Sequence, residues 1–186
     1  MAGFRYWQGD ALTLRALKPS DAQWFLACDD DIARNVDAIL WPTTEAKMLS
    51  WFEQQQKARF DDSFRFMADN AQGATVGTID TFQCHRRHGT FKYGVAVAAE
   101  HRGQGYAGEM IAMVLRYYFH ELGYQKATPH VYAFNDASVR LHEKLGFTLE
   151  GRLRRMVYAD GRFHDELHFG MTREEFDVLH GHRFVR

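Results

Sequence analysis

The stretch Phe91-Lys-Tyr-Gly-Val-Ala-Val97-Ala-Ala-Glu-His101-Arg-Gly-Gln-Gly105-Tyr-Ala107 changes its period halfway along. Phe91, Tyr93, Val95 and Val97 alternate with their neighbours, the pattern of a strand with one buried face. From Ala107 the apolar residues follow helical spacing instead: Met110, Ile111, Val114, Leu115, Tyr118 and Leu122. Gly103 and Gly105 lie at the junction, where glycine lets the backbone turn sharply and approach a ligand without a Cβ collision. The N–H groups of a helix's first turn have no partner inside the helix, and its dipole adds partial positive charge there. Arg102 adds a formal charge beside them. Together these residues suit a phosphate or pyrophosphate, and they equally suit a plain strand-to-helix turn. The dinucleotide fingerprint G-x-G-x-x-G and the Walker ending Gly-Lys-Ser/Thr are both missing, which weakens hydride transfer and nucleotide hydrolysis as readings.

Towards the N-terminus, Arg86-Arg87-His88-Gly89 closes a hairpin onto a strand from Val76 to Phe82. A turn near Asn70 to Gly73 leads back to a strand in which Phe64, Phe66 and Ala68 alternate. These segments predict an antiparallel meander. Before it, Thr43 or Thr44 caps a helix carrying Glu45, Met48, Leu49, Phe52 and Gln56 on one stripe. Ser20-Asp-Ala-Gln23 matches a capping box for an earlier helix that presents Trp24, Phe25 and Cys28. Leu12, Leu14 and Ala16 predict the first strand.

Towards the C-terminus, Gly123 ends the long helix as a left-handed cap and a strand near Ala127 to Phe134 follows. Asn135 caps a short helix with Ser138, Leu141, His142 and Leu145 on one face, and Gly146 stops it. Two last strands pair around Asp160-Gly161, a favoured hairpin turn. The order predicts an α+β fold, a mixed, mainly antiparallel sheet of about seven strands flanked by helices. No linker or repeat interrupts it, so residues 1–186 are read as a single domain.

Composition narrows the function classes. Lys and Arg number 23 against 24 Asp and Glu, which argues against coating nucleic acid or a membrane by bulk charge. No apolar run approaches the ~20 residues of a membrane-spanning helix, and the N-terminus lacks a signal-peptide core. Cys28 and Cys84 have no metal or redox spacing, so the expected compartment is the reducing cytoplasm. His164, Glu166 and His168 would share a strand face, as in a site of two histidines and a carboxylate. Phe163, Leu167 and Phe169 on the other face make that polar face the solvated one, and no metal is expected.

Arg102-Gly-Gln-Gly105-Tyr-Ala107 resembles the R/Q-x-x-G-x-G/A signature of the GCN5-related N-acetyltransferases. Asn135-Asp-Ala-Ser138-Val-Arg-Leu141-His142-Glu-Lys144-Leu-Gly146-Phe147 resembles that family's second signature. Glu150-Gly-Arg-Leu-Arg, Asp160-Gly161 and Asp165 are similar to the branch that includes ribosomal-protein N-terminal acetyltransferases. The likeness runs from Leu12 to about Phe176 and includes the order of elements.

The resemblance implies acetyl-CoA as cosubstrate and a ternary complex in which an amine attacks the thioester. It puts the pyrophosphate on the backbone of Arg102, Gly103, Gln104, Gly105, Tyr106 and Ala107. It lays the pantetheine arm along Val95, Ala96 and Val97, where a backbone N–H can polarise the thioester carbonyl. Asn135 is expected to bond that arm besides capping its helix. The family commonly has Tyr where this chain has His142, which is expected to protonate or hydrogen-bond the departing sulfur, or only to pack against the cosubstrate. Ser138, on the same helix face, is a second donor to the sulfur. For the base, Asp80, Glu100, His130, Tyr132 and water stay open.

The acceptor is a protein N-terminal amine or a small amine such as a polyamine, an antibiotic or an amino-acid derivative. A silent acyl-CoA sensor is the reading from another class. Asp29, Asp30, Asp31, Trp41 and Trp51 are the candidate acceptor determinants, and a homodimer is a possible assembly.

Overall fold

Residues 6–28, 30–36, 41–56 and 62–181 are described by a computed structural model. Its meander begins with β1 (Leu12–Ala16), which pairs antiparallel with β2 (Arg65–Asn70) so that Leu14 faces Ala68. β2 pairs in turn with β3 (Thr75–His85). Asn70 Oδ1 accepts from the N–H groups of Gln72 and Ala74, and Gly73 has φ +78°, which fixes the intervening turn. β4 (Thr90–Val97) follows the tight turn at Gly89. Phe66, Met67 and Ala68 are all buried and Phe64 is exposed, against the alternation expected from the sequence. A strand covered on both faces loses its period of two.

The N-terminal helices depart further from expectation. Pro19 starts a 3-10 turn (Pro19–Asp21), and α1 (Ala22–Leu26) follows it directly. The expected cap at Ser20 gives way to an N-cap at Lys18, two residues earlier, whose N–H donates to the Asp21 carboxylate at 2.7 Å. Proline's fixed φ suits the first position of a helical turn, so the chain enters two residues early. α2 (Asp30–Val36) then begins at Asp30 and Asp31. Those acids therefore stand at a helix start, where the dipole favours them, and not at a helix end. Asp29 and residues 37–40 lie outside the described residues. α3 (Glu45–Gln56) is capped by Thr44, whose hydroxyl accepts from the Lys47 N–H.

α4 (Tyr106–His120) is the long helix expected after the glycines. Residues Ala127 to Phe134, expected as one strand, form β5 (Lys126–Ala127) and β6 (His130–Tyr132). Proline has no N–H to give a ladder, and Pro129 sits at the break. β5 runs parallel to β4 for two rungs, Thr90↔Lys126 and Phe91↔Ala127, whereas β6 pairs with β8. α5 (Asp136–Leu145) is capped by Asn135 and ended by Gly146 at φ +87°. β7 (Thr148–Ala159) and β8 (Arg162–Thr172) meet at Asp160-Gly161, with φ +50° and +74°, as a two-residue hairpin requires.

The break at Pro129 makes the sheet eight-stranded, in the order β1-β2-β3-β4-β5-β8-β6 with β7 on β8. A last helix, α6 (Arg173–His180), was not expected, although Thr172 and Glu175 form a reciprocal capping box.

The chain divides into two compact units, Met1–Thr81 with Gly94–Met113, and Phe82–Tyr93 with Val114–Arg186. In the first, Leu12, Leu14, Met67, Val76, Ile79 and Met110 are buried. Arg15 ties its edge together, giving its guanidinium to Asp21 and Asp69. In the second, Phe91, Tyr118, Tyr124, Phe169 and Phe176 form an aromatic core, with Phe91 stacked on Tyr118 at 4.3 Å between centroids. No helix among the described residues is long and apolar enough to cross a membrane.

Candidate active site

In the first unit, Gly103 and Gly105 adopt φ +77° and +84°. Few side chains tolerate that conformation, which is why the sequence uses glycine twice here. A Cβ added at either position would meet none of the described residues within 4 Å, so the backbone conformation and not crowding by them calls for glycine. Tyr106 and Ala107 open α4, whose first-turn N–H groups follow the glycines directly. Arg102 is partly exposed, gives Nε to the Val97 carbonyl at 3.4 Å and reaches Asp31 at 3.7 Å. Gln104 is exposed, and Val95, Ala96 and Val97 are half-buried at the end of β4. The loop leaves the backbone of Gly103 and Gly105 exposed at the start of a 15-residue helix, whose first-turn N–H groups carry partial positive charge.

In the second unit, α5 brings Asn135, Ser138 and His142 together. Asn135 Oδ1 accepts the Ser138 N–H at 3.0 Å, the cap expected from the sequence. His142 is one turn later and 2% exposed. Its Nδ1 lies 2.8 Å from the Ser138 carbonyl and 3.5 Å from Ser138 Oγ, and its Nε2 lies 3.0 Å from the Tyr93 hydroxyl. A carbonyl only accepts, so Nδ1 carries the proton and Nε2 accepts from Tyr93. The ring is stacked between Tyr93 and Phe169, with centroids 5.9 and 5.4 Å away. Burial pushes the His142 imidazole below its ordinary value of 6.5 and the Tyr93 phenol above its ordinary 10.0. Both groups are therefore neutral near pH 7, and both ring nitrogens of His142 are engaged. The sequence offered no sign of Tyr93, because nothing local links it to a residue 49 positions away.

The remaining candidates separate clearly. Asp80 pairs with Arg65 at 2.7 Å, and Glu100 is exposed in the 3-10 turn Ala99–His101. His130 and Tyr132 share one face of β6, as expected, with rings 6.2 Å apart. Trp41 is 91% exposed, whereas Trp51 packs on Phe25 and Phe52 under the Arg65 guanidinium. The two tryptophans therefore do not wall a common pocket. His164 bonds the Ala159 carbonyl. Glu166 and His168 stand 2.7 Å apart, off the line of a hydrogen bond, and are 14% and 30% exposed. The face expected to be solvated is thus half-buried. Among the described residues no three His, Cys, Asp or Glu are grouped to hold a metal ion.

Comparison with known proteins gives the family. The family model described as an acetyltransferase (GNAT) domain matches residues 11–148. The SPbeta prophage-derived uncharacterized N-acetyltransferase YokL of Bacillus subtilis is 49% identical over 176 residues, covering 95% of this chain and 98% of its own. A spermidine N(1)-acetyltransferase of Vibrio cholerae is 28% identical over 156 residues, covering 83% and 88%. The crystal structure of a spermidine N-acetyltransferase from Vibrio cholerae in complex with CoA and spermine superposes with a TM-score of 0.80 at 24% identity, covering 89% and 97%. By family model and by near-complete likeness to a relative, the chain belongs to the GNAT acetyltransferases and is an N-acetyltransferase.

Proposed function

We propose that the protein moves the acetyl group of acetyl-CoA to the primary amine of a small molecule, with polyamines as the first class to test. The open backbone cradle at Gly103 and Gly105 carries the cosubstrate half of this reading. A polyanionic pyrophosphate suits the N–H groups from Arg102 to Ala107, and no surplus of basic residues is needed to hold it. Val95, Ala96 and Val97 offer strand backbone for the pantetheine amides, and Asn135 a side-chain amide.

The acceptor half rests on likeness to the spermidine N(1)-acetyltransferase over most of the chain, and on Asp30 and Asp31 opening α2. Neutral His142 does not act as an imidazolium acid in this reading. It holds Ser138 by the carbonyl and sets that hydroxyl as the donor to the departing thiolate. Exposed Leu149, Leu153, Met156 and Tyr158 along β7 support assembly with a second copy, which sedimentation measures.

Thiol release from acetyl-CoA across a panel of polyamines, amino-acid amides and peptide N-termini tests the function. Turnover with spermidine or spermine above the other amines supports the polyamine reading. CoA binding without turnover on any amine replaces it with an acyl-CoA sensor.

A further inference from the structure

One face of the sheet in the second unit gathers titratable side chains from three strands. Phe91 and Tyr93 of β4, Val131 of β6, and Leu167 and Phe169 of β8 are buried on one side. Alternation puts Lys92, His130, Tyr132, Glu166 and His168 on the other, all half-buried. Register brings four of them level in two pairs, since His130 lies opposite His168 and Tyr132 opposite Glu166. His130 is the centre of the group, its ring 6.2 Å from each of the rings of Phe82, Tyr132 and His168. Its Nδ1 is buried and has no hydrogen-bond partner among the described residues. A buried polar atom without a partner costs stability, and such groups concentrate where function requires them.

We propose that His130, clustered with Lys92, Tyr132, Glu166 and His168 on this face of the sheet, is the base that takes the proton from the acceptor ammonium. This assignment rests on the acetyl-transfer reading above. In the step, one N–H bond of the ammonium breaks, its electron pair stays on nitrogen, and the proton passes to the His130 ring. The neutral amine is then the nucleophile. The imidazolium formed is offset by the Glu166 carboxylate on the neighbouring strand.

The charges facing His130 agree with this role. Burial, Lys92 and His168 hold its imidazole below the ordinary 6.5, and Glu166 works against them. The rings of Tyr132 and Phe82 also flank it. A histidine kept neutral at pH 7 has its lone pair available, as a base must. Asp80 is paired with Arg65, and Glu100 is exposed.

The experiment is the pH profile of kcat/KM for the wild type, Lys92→Met, Glu166→Gln and His130→Gln on the best amine of the panel. CoA titration and melting are followed beside it. Removing the positive charge at Lys92 should move the acidic limb up by roughly half a unit to one unit, and removing the negative charge at Glu166 should move it down. His130→Gln should lose about 100-fold in kcat near pH 7 with CoA affinity unchanged. Opposite limb shifts in Lys92→Met and Glu166→Gln support the assignment even if His130→Gln fails to fold. An active wild type whose limb moves in neither variant overturns the role of His130 and leaves acetyl transfer standing. A wild type that acetylates no amine overturns both.

Discussion

The Tyr93 hydroxyl donates to His142 Nε2 at 3.0 Å, between two buried side chains from β4 and α5. With Nδ1 giving its proton to the Ser138 carbonyl, the imidazole is held as one neutral tautomer. Tyr93→Phe leaves Nε2 buried without a donor, at a cost of ~1–2 kcal/mol. Because the folded imidazole titrates below its unfolded value of 6.5, its contribution to stability is complete above 6.5 and is lost as pH falls through the folded value. Removing Tyr93's donation raises the folded value and weakens that dependence. Melting temperatures from pH 8 to pH 5 measure both effects. A variant with the wild-type acid slope would show that Tyr93 does not hold the ring.

Ser138 and His142 are expected to fail differently. Ser138→Ala removes a half-buried hydroxyl, and its kcat should fall about tenfold with little change in melting. His142→Phe breaks bonds to both Tyr93 and Ser138, so it should lose stability as well as turnover, with turnover falling more than acetyl-CoA affinity. Equal turnover for His142→Phe and the wild type would reduce His142 to packing.

Gly105→Ala separates backbone strain from ligand contact. The added methyl meets none of the described residues within 4 Å, so the folded chain bears only the left-handed conformation, ~1 kcal/mol. Gly73→Ala at φ +78°, also in open space, is the matched control in the β2–β3 turn. Both should melt a few degrees lower, and only Gly105→Ala should weaken acetyl-CoA binding, by about tenfold. Equal affinities, measured by calorimetry, would remove the loop from the cosubstrate site.

Asp21 is 5% exposed and accepts Arg15 NH1 and NH2 at 2.8 Å each. The hydrogen bonds to Arg15 and to the Lys18 N–H outweigh burial and hold its carboxyl below the ordinary 3.8. Asp21→Asn leaves the guanidinium short of its partner and should cost ~3 kcal/mol. The lowered carboxyl contributes stability that is present above 3.8 and lost as pH falls through the folded value. Denaturant unfolding of wild type and variant should therefore converge in strong acid. A constant difference down to pH 2 would contradict the ion pair.

Several features could be read from short stretches of chain. Asn135 and Gly146 bracket α5, Asp160-Gly161 turns the last hairpin, and Gly103 and Gly105 precede α4, each a signal contained within a few residues. The cap of α6 at Thr172 and Glu175 is equally local. Local patterns also misled. Ser20 and Gln23 fit a capping box that Pro19 pre-empted, and the single strand expected up to Phe134 broke at Pro129. Apart from α2, α6 and the break at Pro129, the sequence by itself determined the order of elements, the turn chemistry and the family, because caps, periods and glycine positions act over neighbouring residues. Only the tertiary structure decided that Tyr93 meets His142, that Arg65 occupies Asp80, and that His130 faces His168 and Tyr132 faces Glu166. Those pairs depend on strand register and helix docking, and a shift of one residue would turn each side chain to the opposite face.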